Sequence, residues 1–121
     1  MRFTIAILTV LTALTTSVMA DSMSVGDDCA QDGQNIFLSD WNSAYGRYNV
    51  FPRAGCQDPS DVPDLTELCM DWPNNRAHFF FVGQSKRCMV KGDVQGPFIP
   101  GPLCTASWCC VSAWNEVPCT W

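Results

Sequence analysis

The first part of the chain differs in its pattern from everything that follows. A basic residue near the start precedes an apolar stretch over residues 3–14, and Val18-Met19-Ala20 matches the small-x-small sequence that signal peptidase reads. This pattern predicts a signal peptide over residues 1–20, removed by cleavage after its last alanine. The remaining residues, 21–121, are enough for one domain with one core.

Apolar positions at helical spacing predict two short helices, over residues 40–48 and 61–72. The first has its apolar residues at i, i+3, i+4 and i+7, and Pro52 follows it. The second has an aspartate to cap its start, a proline in its first turn and Pro73 after its end. The apolar positions are Trp41, Ala44, Tyr45 and Tyr48 in the first helix, and Val62, Leu65, Leu68, Cys69 and Trp72 in the second.

The other segments predict strands and loops. Residues 79–82 and 87–91 are rich in strand formers on either side of a turn, which predicts a β-hairpin. Residues 108–114 predict a C-terminal strand, whereas residues 96–102, with three prolines and two glycines, predict a loop. The polar residues 21–33 predict a loose arm. The expected fold class is therefore α+β: a small disulfide-rich domain with two helices, a hairpin and a last strand.

Eight cysteines lie after the predicted leader. In an exported chain an even number of cysteines predicts disulfides, here four, rather than metal ligands or redox centres. Their pairing stays open, because eight cysteines allow 105 connectivities. If the last strand is extended, its two adjacent cysteines point to opposite faces. The eight are Cys29, Cys56, Cys69, Cys88, Cys104, Cys109, Cys110 and Cys119.

Charge and composition narrow the possible partners. The chain has 12 acidic residues, all after the leader, and 7 basic ones, whereas nucleic-acid binding needs a basic surface. No apolar run after the leader approaches the roughly 20 residues of a membrane span. A single histidine and the lack of Cys-x-x-Cys and calcium-loop motifs speak against a metal. We expect a monomer without cofactor, metal, nucleic acid or membrane span.

Catalytic residue types occur, but in no recognisable arrangement. His78 is the one histidine, and Asp71 or Glu67 would have to orient it toward a serine nucleophile. No Gly-x-Ser-x-Gly motif is present. Acids that recur every third residue fit the solvated face of the second helix better than the carboxylate pair of a glycosidase. We therefore expect no enzyme. The candidate serines are Ser85, Ser107 and Ser112, and the acids are Asp58, Asp61, Asp64 and Glu67.

Large aromatic rings are the remaining candidates for function. Exposed tryptophan and tyrosine stack against sugar rings and form hot spots in protein interfaces, although in disulfide-rich domains such rings also pack over cystines. Rings near the chain end have few elements to cover them, so Trp114 and Trp121 are the first candidates for a carbohydrate-binding face. The candidate binding residues are Trp108, Trp114, Trp121 and Phe98, the last lying in the predicted loop.

The leader, the cysteine density and the acidic mature chain resemble the small secreted cysteine-rich effectors and phytotoxins of plant-associated fungi and oomycetes, such as the PcF type. No Arg-x-Leu-Arg host-entry motif follows Ala20, which favours action outside host cells. The resemblance implies a non-enzymatic virulence role in the apoplast, in which binding of a host extracellular protein or surface glycan triggers or suppresses defence and cell death. A carbohydrate-binding module for a cell-wall glycan, or a protease inhibitor acting through the loop over residues 96–102, stays open beside it.

Overall fold

Eight β-strands form one antiparallel sheet in the computed structural model, which describes residues 20–99 and 108–121. The strand order is β3-β2-β1-β8-β7-β6-β5-β4, and every pairing is antiparallel. Within these ranges, a 3₁₀ turn at Trp72–Asn74 is the one helical element. The strands are β1 (Ser22–Asp27), β2 (Ile36–Ser43), β3 (Gly46–Asn49), β4 (Gly55–Gln57), β5 (Leu65–Asp71), β6 (Arg76–Phe81), β7 (Arg87–Phe98) and β8 (Cys109–Val117).

The predicted α+β class is wrong, and the first predicted helix shows why. Residues 40–48 form most of the β2–β3 hairpin, in which Trp41 pairs with Tyr48. Residues that pair directly across two strands have side chains on the same face of the sheet. A tight turn centred between Ala44 and Tyr45 therefore places residues seven apart on one face, as a helix would.

The second predicted helix, over residues 61–72, is a turn followed by β5. Three consecutive residues of this strand, Leu68, Cys69 and Met70, are buried, so both faces of β5 are covered. Burial on both faces removes the period-2 alternation by which a strand is recognised. Asp64 enters the strand with a left-handed backbone (φ 66°), a conformation that interrupts a helix.

The segment predicted as a loose arm contains a central strand. β1 lies between β2 and β8, with Met23, Val25 and Asp27 buried and the residues between them half-exposed. This is the alternation of a strand with one face in the core. The predicted loop over residues 96–102 is also partly wrong, since β7 continues to Phe98, which pairs with Cys109. The last residues of that loop lie outside the described ranges.

The predicted β-hairpin and C-terminal strand are both present. β6 and β7 form the hairpin, with Phe79 opposite Arg87 next to the turn. β8 starts at Cys109 and pairs with β1 on one side and β7 on the other. The C-terminal strand is thus a central strand of the sheet, which the sequence pattern did not indicate.

The sheet curls so that its two halves enclose one core. Trp41 of β2 contacts Phe79 of β6 edge-to-face, with ring centroids 4.8 Å apart, although three strands separate β2 from β6 in the sheet. Trp72 and Trp114 meet in the same manner at 5.0 Å. Buried side chains from both halves form the core: Met23, Val25, Trp41, Val50, Val62, Leu65, Leu68, Met70, Trp72, Ala77, Phe79, Met89 and Trp114.

Disulfide bonds cross-link strands of this sheet and the segments next to them, as the cysteine pattern predicts. One bond ties the loop after β1 to β8, one joins β4 to β5, and one ties the C-terminal tail to β7. Cys109 is also disulfide-bonded, and none of the cysteines in the described ranges is free; Cys104 lies outside them. The three bonds are Cys29–Cys110, Cys56–Cys69 and Cys88–Cys119.

Candidate functional site

A groove lies between the turn that joins β2 to β3 and the turn that joins β6 to β7. It consists of two adjoining cavities of about 260 and 210 Å³. Both are lined by Ser43 and Tyr45 from the first turn and by Phe81 and Gln84 from the second. Tyr48, Asp64 and Val82 extend the lining of the larger cavity, and Asp21 and Arg87 that of the smaller. We call this the tyrosine groove.

Local hydrogen bonds fix the first wall of the tyrosine groove. The Ser43 hydroxyl accepts from the backbone N–H of Tyr45 at 3.1 Å and donates to the carbonyl of Gly46 at 3.3 Å. Tyr48 donates its hydroxyl to the Tyr45 carbonyl at 3.3 Å. Gly46 has a φ of 147°, and a Cβ there would lie 3.2 Å from the Tyr48 hydroxyl oxygen, so the turn requires glycine. The Tyr45 side chain, 90% exposed, therefore projects from an ordered turn.

The second wall is held by bonds to both neighbouring elements. The backbone N–H of Val82 donates to the carbonyl of Asp64 at 2.9 Å, which ties the turn to the entry of β5. Gln84 closes the turn by donating its backbone N–H to Phe81 at 3.0 Å, and its side-chain oxygen accepts from Arg87 at 3.1 Å. With this oxygen engaged, the side-chain amide N–H groups of Gln84 are its donors for a ligand.

Behind the smaller cavity lies an ionic cluster, the Arg87 network, formed by Asp21, Trp41, Arg87 and Glu116. Arg87 donates to both carboxyl oxygens of Glu116, at 2.7 and 2.8 Å, and to Asp21 at 3.2 Å. The other oxygen of Asp21 accepts from the indole N–H of the fully buried Trp41 at 2.7 Å. The network thus connects β8, the start of β1, β2 and β7.

The environment of the Arg87 network favours the charged forms of Glu116 and Arg87. Burial alone would raise the pKa of Glu116, but hydrogen bonds from Arg87 and from the Asp21 backbone outweigh burial and lower the pKa. The bonds to Glu116 in turn raise the pKa of Arg87. Its guanidinium also lies 5.1 Å from the Phe79 ring centroid and 5.3 Å from that of Phe81. The network therefore anchors the base of the second wall.

Comparisons of the chain with protein-family models, curated proteins and solved structures find no match. Within the described ranges, no helix is both long and apolar enough to cross a membrane. The chemistry of the tyrosine groove is consequently the main guide to function: aromatic rings for apolar contact, with hydroxyl, amide and carboxylate groups beside them.

The candidate binding residues do not come together in one site. Trp114, expected at the surface, is fully buried, and its indole N–H donates to Ser112 at 3.1 Å. That ring packs on Trp72 and cannot stack on a sugar. Trp121 is half-buried, with the Arg76 guanidinium 5.2 Å from its ring centroid.

Two of the candidate aromatic side chains remain accessible. They lie where β7 ends and β8 begins, at the end of β7 opposite to the tyrosine groove. Trp108 is 54% exposed and Phe98 is 45% exposed. They lie close together, since Phe98 pairs with Cys109, the neighbour of Trp108 in the chain. This end adjoins residues 100–107, which are outside the described ranges.

The residues considered for catalysis are not in contact with one another. His78 lies half-buried on β6 between Cys69 and Cys88, and no hydrogen bond or ion pair among the described residues joins it to a carboxylate or serine. Asp71 instead accepts from Asn74 at 2.9 Å and from Arg76 at 3.1 Å, and these bonds lower its pKa. Ser107 lies outside the described ranges.

The acidic residues at every third position do not share a helix face. All four are exposed and lie in the turn before β5 or in β5 itself. One of them, Glu67, has a carboxylate oxygen within 4.8 Å of the sulfurs of Cys56 and Cys69. These two cysteines form a disulfide, so they offer no thiolate to a metal.

The sequence pattern did not reveal the tyrosine groove or the Arg87 network. Helical spacing places Tyr45 and Tyr48 on the apolar side of a predicted helix, and the polar start of the mature chain places Asp21 in a predicted loose arm. The available signal was Gly46, which weakens a helix interior and favours a turn. Asp21 and Glu116 are 95 positions apart, and no local pattern relates residues at that separation.

Asp27 is a second buried carboxylate, and it allows a test by pH. One of its oxygens accepts from the Cys29 N–H at 3.0 Å, while the other is buried with no hydrogen-bond partner among the described residues. Burial raises the pKa of Asp27 and the nearby Lys91 opposes this. Because the pKa of Asp27 is higher in the folded than in the unfolded protein, protonation of Asp27 stabilises the fold. This stabilisation is complete below the pKa of the unfolded state, about 3.9, and is lost as the pH rises through the pKa of the folded state.

We therefore expect the wild-type protein to gain stability relative to D27N as the pH falls from 7 to 4, by on the order of 1 kcal/mol. Urea unfolding of both proteins at several pH values measures the difference. Parallel stability curves over this range would contradict the assignment.

Proposed function

We propose that this protein is a secreted effector or toxin that acts outside host cells by binding a host extracellular protein through the tyrosine groove. The leader pattern and the disulfide bonds support export. The main support for this binding site is the exposure of Tyr45, whose ring is 90% exposed on a turn fixed by Ser43 and Tyr48.

An ordered, exposed aromatic residue is suited to protein recognition. Tyrosine presents a large amphipathic surface at a small cost in side-chain entropy, and it is enriched among interface hot spots. Because Tyr45 already projects from a hydrogen-bonded turn, binding needs little further ordering of the backbone. The turn that carries Gln84 is equally fixed, so the groove keeps its shape before the partner arrives.

The lining indicates the kind of partner segment. The larger cavity, about 260 Å³, has Tyr45, Tyr48 and Phe81 as apolar surface, which suits one large apolar side chain. Asp64 adds an exposed carboxylate at its edge, in a chain with an excess of acids. We propose that the partner offers a surface loop with an apolar side chain next to a basic residue.

Glycan binding is the second candidate function. The tyrosine groove is a better candidate site for a glycan than the tryptophans that the sequence predicts. Tyrosine rings beside a carboxylate and an amide form a common arrangement for holding a sugar ring, and Tyr45, Asp64 and Gln84 offer these groups. Trp114 is in the core and has no part in it. Inhibition of a protease through residues 96–102 loses support, because residues 96–98 continue β7.

The replacement Y45A is expected to weaken binding of the partner by about thirtyfold or more, since truncating an interface hot spot costs about 2 kcal/mol or more. The unfolding free energy should stay within about 0.5 kcal/mol of wild type, because the side chain is exposed. Refolded protein is infiltrated into plant leaves over a concentration series, and the concentration that gives half-maximal cell death or defence response is compared. L38A, which truncates a residue 55% exposed outside the groove, is the matched control.

A reduced and alkylated sample shows whether any leaf response needs the fold. Retention on insoluble wall polysaccharides, if abolished by Y45A and kept by L38A, would favour the glycan candidate over a protein partner. An unchanged leaf response for Y45A would rule out the tyrosine groove as the binding site. No response from the wild-type protein would count against the effector proposal as a whole.

A further inference from the structure

The first residue after the predicted cleavage site directly precedes β1 and is hydrogen-bonded to the folded sheet. The backbone N–H of Asp21 donates to a carboxyl oxygen of Glu116 at 2.8 Å. Its carbonyl accepts from the backbone N–H of Glu116 at 3.1 Å. Asp21 is only 4% exposed, whereas Ala20 before it is exposed. The position where the mature chain would begin is therefore already defined by contacts with β8.

The charges around this backbone nitrogen are unbalanced. The carboxylates of Asp21 and Glu116 both contact the guanidinium of Arg87, and these are the two ion pairs of the network. The remaining contacts are neutral: the indole of Trp41 donates to Asp21, and Gln84 accepts from Arg87. Two negative charges thus share one positive charge where solvent access is limited, and one further cation would balance the group.

We propose that cleavage between Ala20 and Asp21 supplies this cation, so that the new α-ammonium group of Asp21 forms a structural ion pair with Glu116. Water adds hydroxyl to the Ala20 carbonyl carbon and hydrogen to the Asp21 nitrogen as the C–N bond breaks. At neutral pH the released amine takes up a proton. A peptidase that recognises small-x-small sites catalyses this hydrolysis.

Cleavage after Ala20 then changes the chemical nature of the contact between the Asp21 nitrogen and the Glu116 carboxylate, while the same two groups remain partners. Before cleavage the Asp21 nitrogen is an amide with one hydrogen to donate, and this donates to Glu116. After cleavage it has three hydrogens and a positive charge, so a hydrogen bond from a neutral amide to a carboxylate becomes an ion pair between opposite charges. The processed chain is therefore more stable than the same chain with one more residue. This inference depends on the export proposed above for the cleavage, but not on any binding partner.

Two forms of the refolded, oxidised protein test the ion pair, one beginning at Asp21 and the other at Ala20. Both come from fusions cut by a protease that leaves no extra residue, and they differ by Ala20 alone, which moves the α-ammonium one residue away from the Asp21 nitrogen. We expect the form that begins at Ala20 to unfold roughly 5–10 °C lower, from the size of one partly buried ion pair in a domain of this length. In E116Q the difference between the two forms should fall below about 2 °C. Equal midpoints in the wild-type background would overturn the proposal.

A second readout does not depend on the folding of E116Q. An amine-reactive reagent should label the α-amine of the form that begins at Asp21 at least about tenfold more slowly in the folded than in the denatured state, because the folded group is held against the Glu116 carboxylate. The α-amine of the form that begins at Ala20 should be labelled rapidly in both states. Fast labelling of folded Asp21 would contradict the proposal.

The natural amino terminus is the third readout. The full chain is expressed in a secreting host, and intact mass of the product is expected to place the terminus at Asp21. A terminus at any other residue would overturn the inference while leaving the groove free to bind its partner. A terminus at Asp21 with no leaf response would instead support the cleavage that the ion pair requires and count against the proposed function.

Discussion

The double variant C29A/C110A is expected to lose about 4.5 kcal/mol of unfolding free energy, the largest effect that we predict for any change in this chain. The bond between these cysteines spans 81 residues and ties the loop after β1 to β8. Without it, the unfolded chain gains the freedom that closure of this long loop had removed. Urea unfolding of the oxidised proteins, monitored by tryptophan fluorescence, measures the loss.

The variant C56A/C69A provides the matched comparison. This bond spans only 13 residues and joins β5 to the edge strand β4, so its removal should cost about 3 kcal/mol. The order of the two losses is the informative result. A larger loss for the short loop would show that contacts of the folded state, rather than the entropy of the unfolded chain, decide the contribution of each bond.

Replacing Arg87 by methionine is expected to cost about 3 kcal/mol, the lower end of the typical cost of removing one partner from a buried ion pair, because the side chains of Arg87 and Glu116 are only partly buried. The change leaves the carboxylates of Asp21 and Glu116 close together without their cation. Methionine retains much of the apolar contact of the arginine side chain with Phe79 and Phe81, so that most of the loss is electrostatic. Thermal and urea unfolding at pH 7 give the value.

The matched control for R87M is R47M, since Arg47 pairs with Asp40 at 3.3 Å but is 68% exposed. An exposed pair contributes little, and R47M should change the stability by less than about 0.5 kcal/mol. The double variant R87M/E116Q should recover part of the loss of R87M, because it removes one of the two stranded carboxylates. Equal losses in R87M and R47M would show that the network contributes no more than a surface pair.

The pH dependence of R87M gives an independent check. The lowered pKa of Glu116 in wild type means that its stabilisation is complete above the unfolded value of about 4.3 and is lost as pH falls through the lower folded value. In R87M the carboxylates of Asp21 and Glu116 repel each other, and protonation removes this repulsion. Acidification from pH 7 to 4 should therefore reduce the difference in unfolding free energy between R87M and wild type. A constant difference in unfolding free energy over this pH range would contradict the assigned role of Glu116.

Local sequence patterns indicated the β6–β7 hairpin, because both strands and the turn between them are contiguous in the chain. The same patterns failed for β2 and β3, where a hairpin placed Trp41 and Tyr48 on one face at the spacing of two helical turns. They failed for β5 because burial on both faces leaves no alternation. In each case the local pattern was real, but more than one structure accounts for it.

Nearness to a chain end was a poor guide to exposure. Trp114 was expected at the surface because it lies near the C-terminus, but its strand, β8, lies between β1 and β7. Asp21 was expected in a loose arm, but it is held by Glu116 and Trp41. Their burial depends on pairing between distant strands, and composition and periodicity contain no information about such pairing.

The pairing of β1 with β8 determines when the sheet can be completed. Ser22 opposes Asn115 and Asp27 opposes Cys110, so the first strand of the domain needs the last one as its neighbour. While the chain emerges vectorially from a ribosome or translocation channel, β1 has only β2 beside it. The core around Trp41 and Trp114 therefore closes only after the chain has been delivered through β8, and contacts of such long sequence separation form slowly.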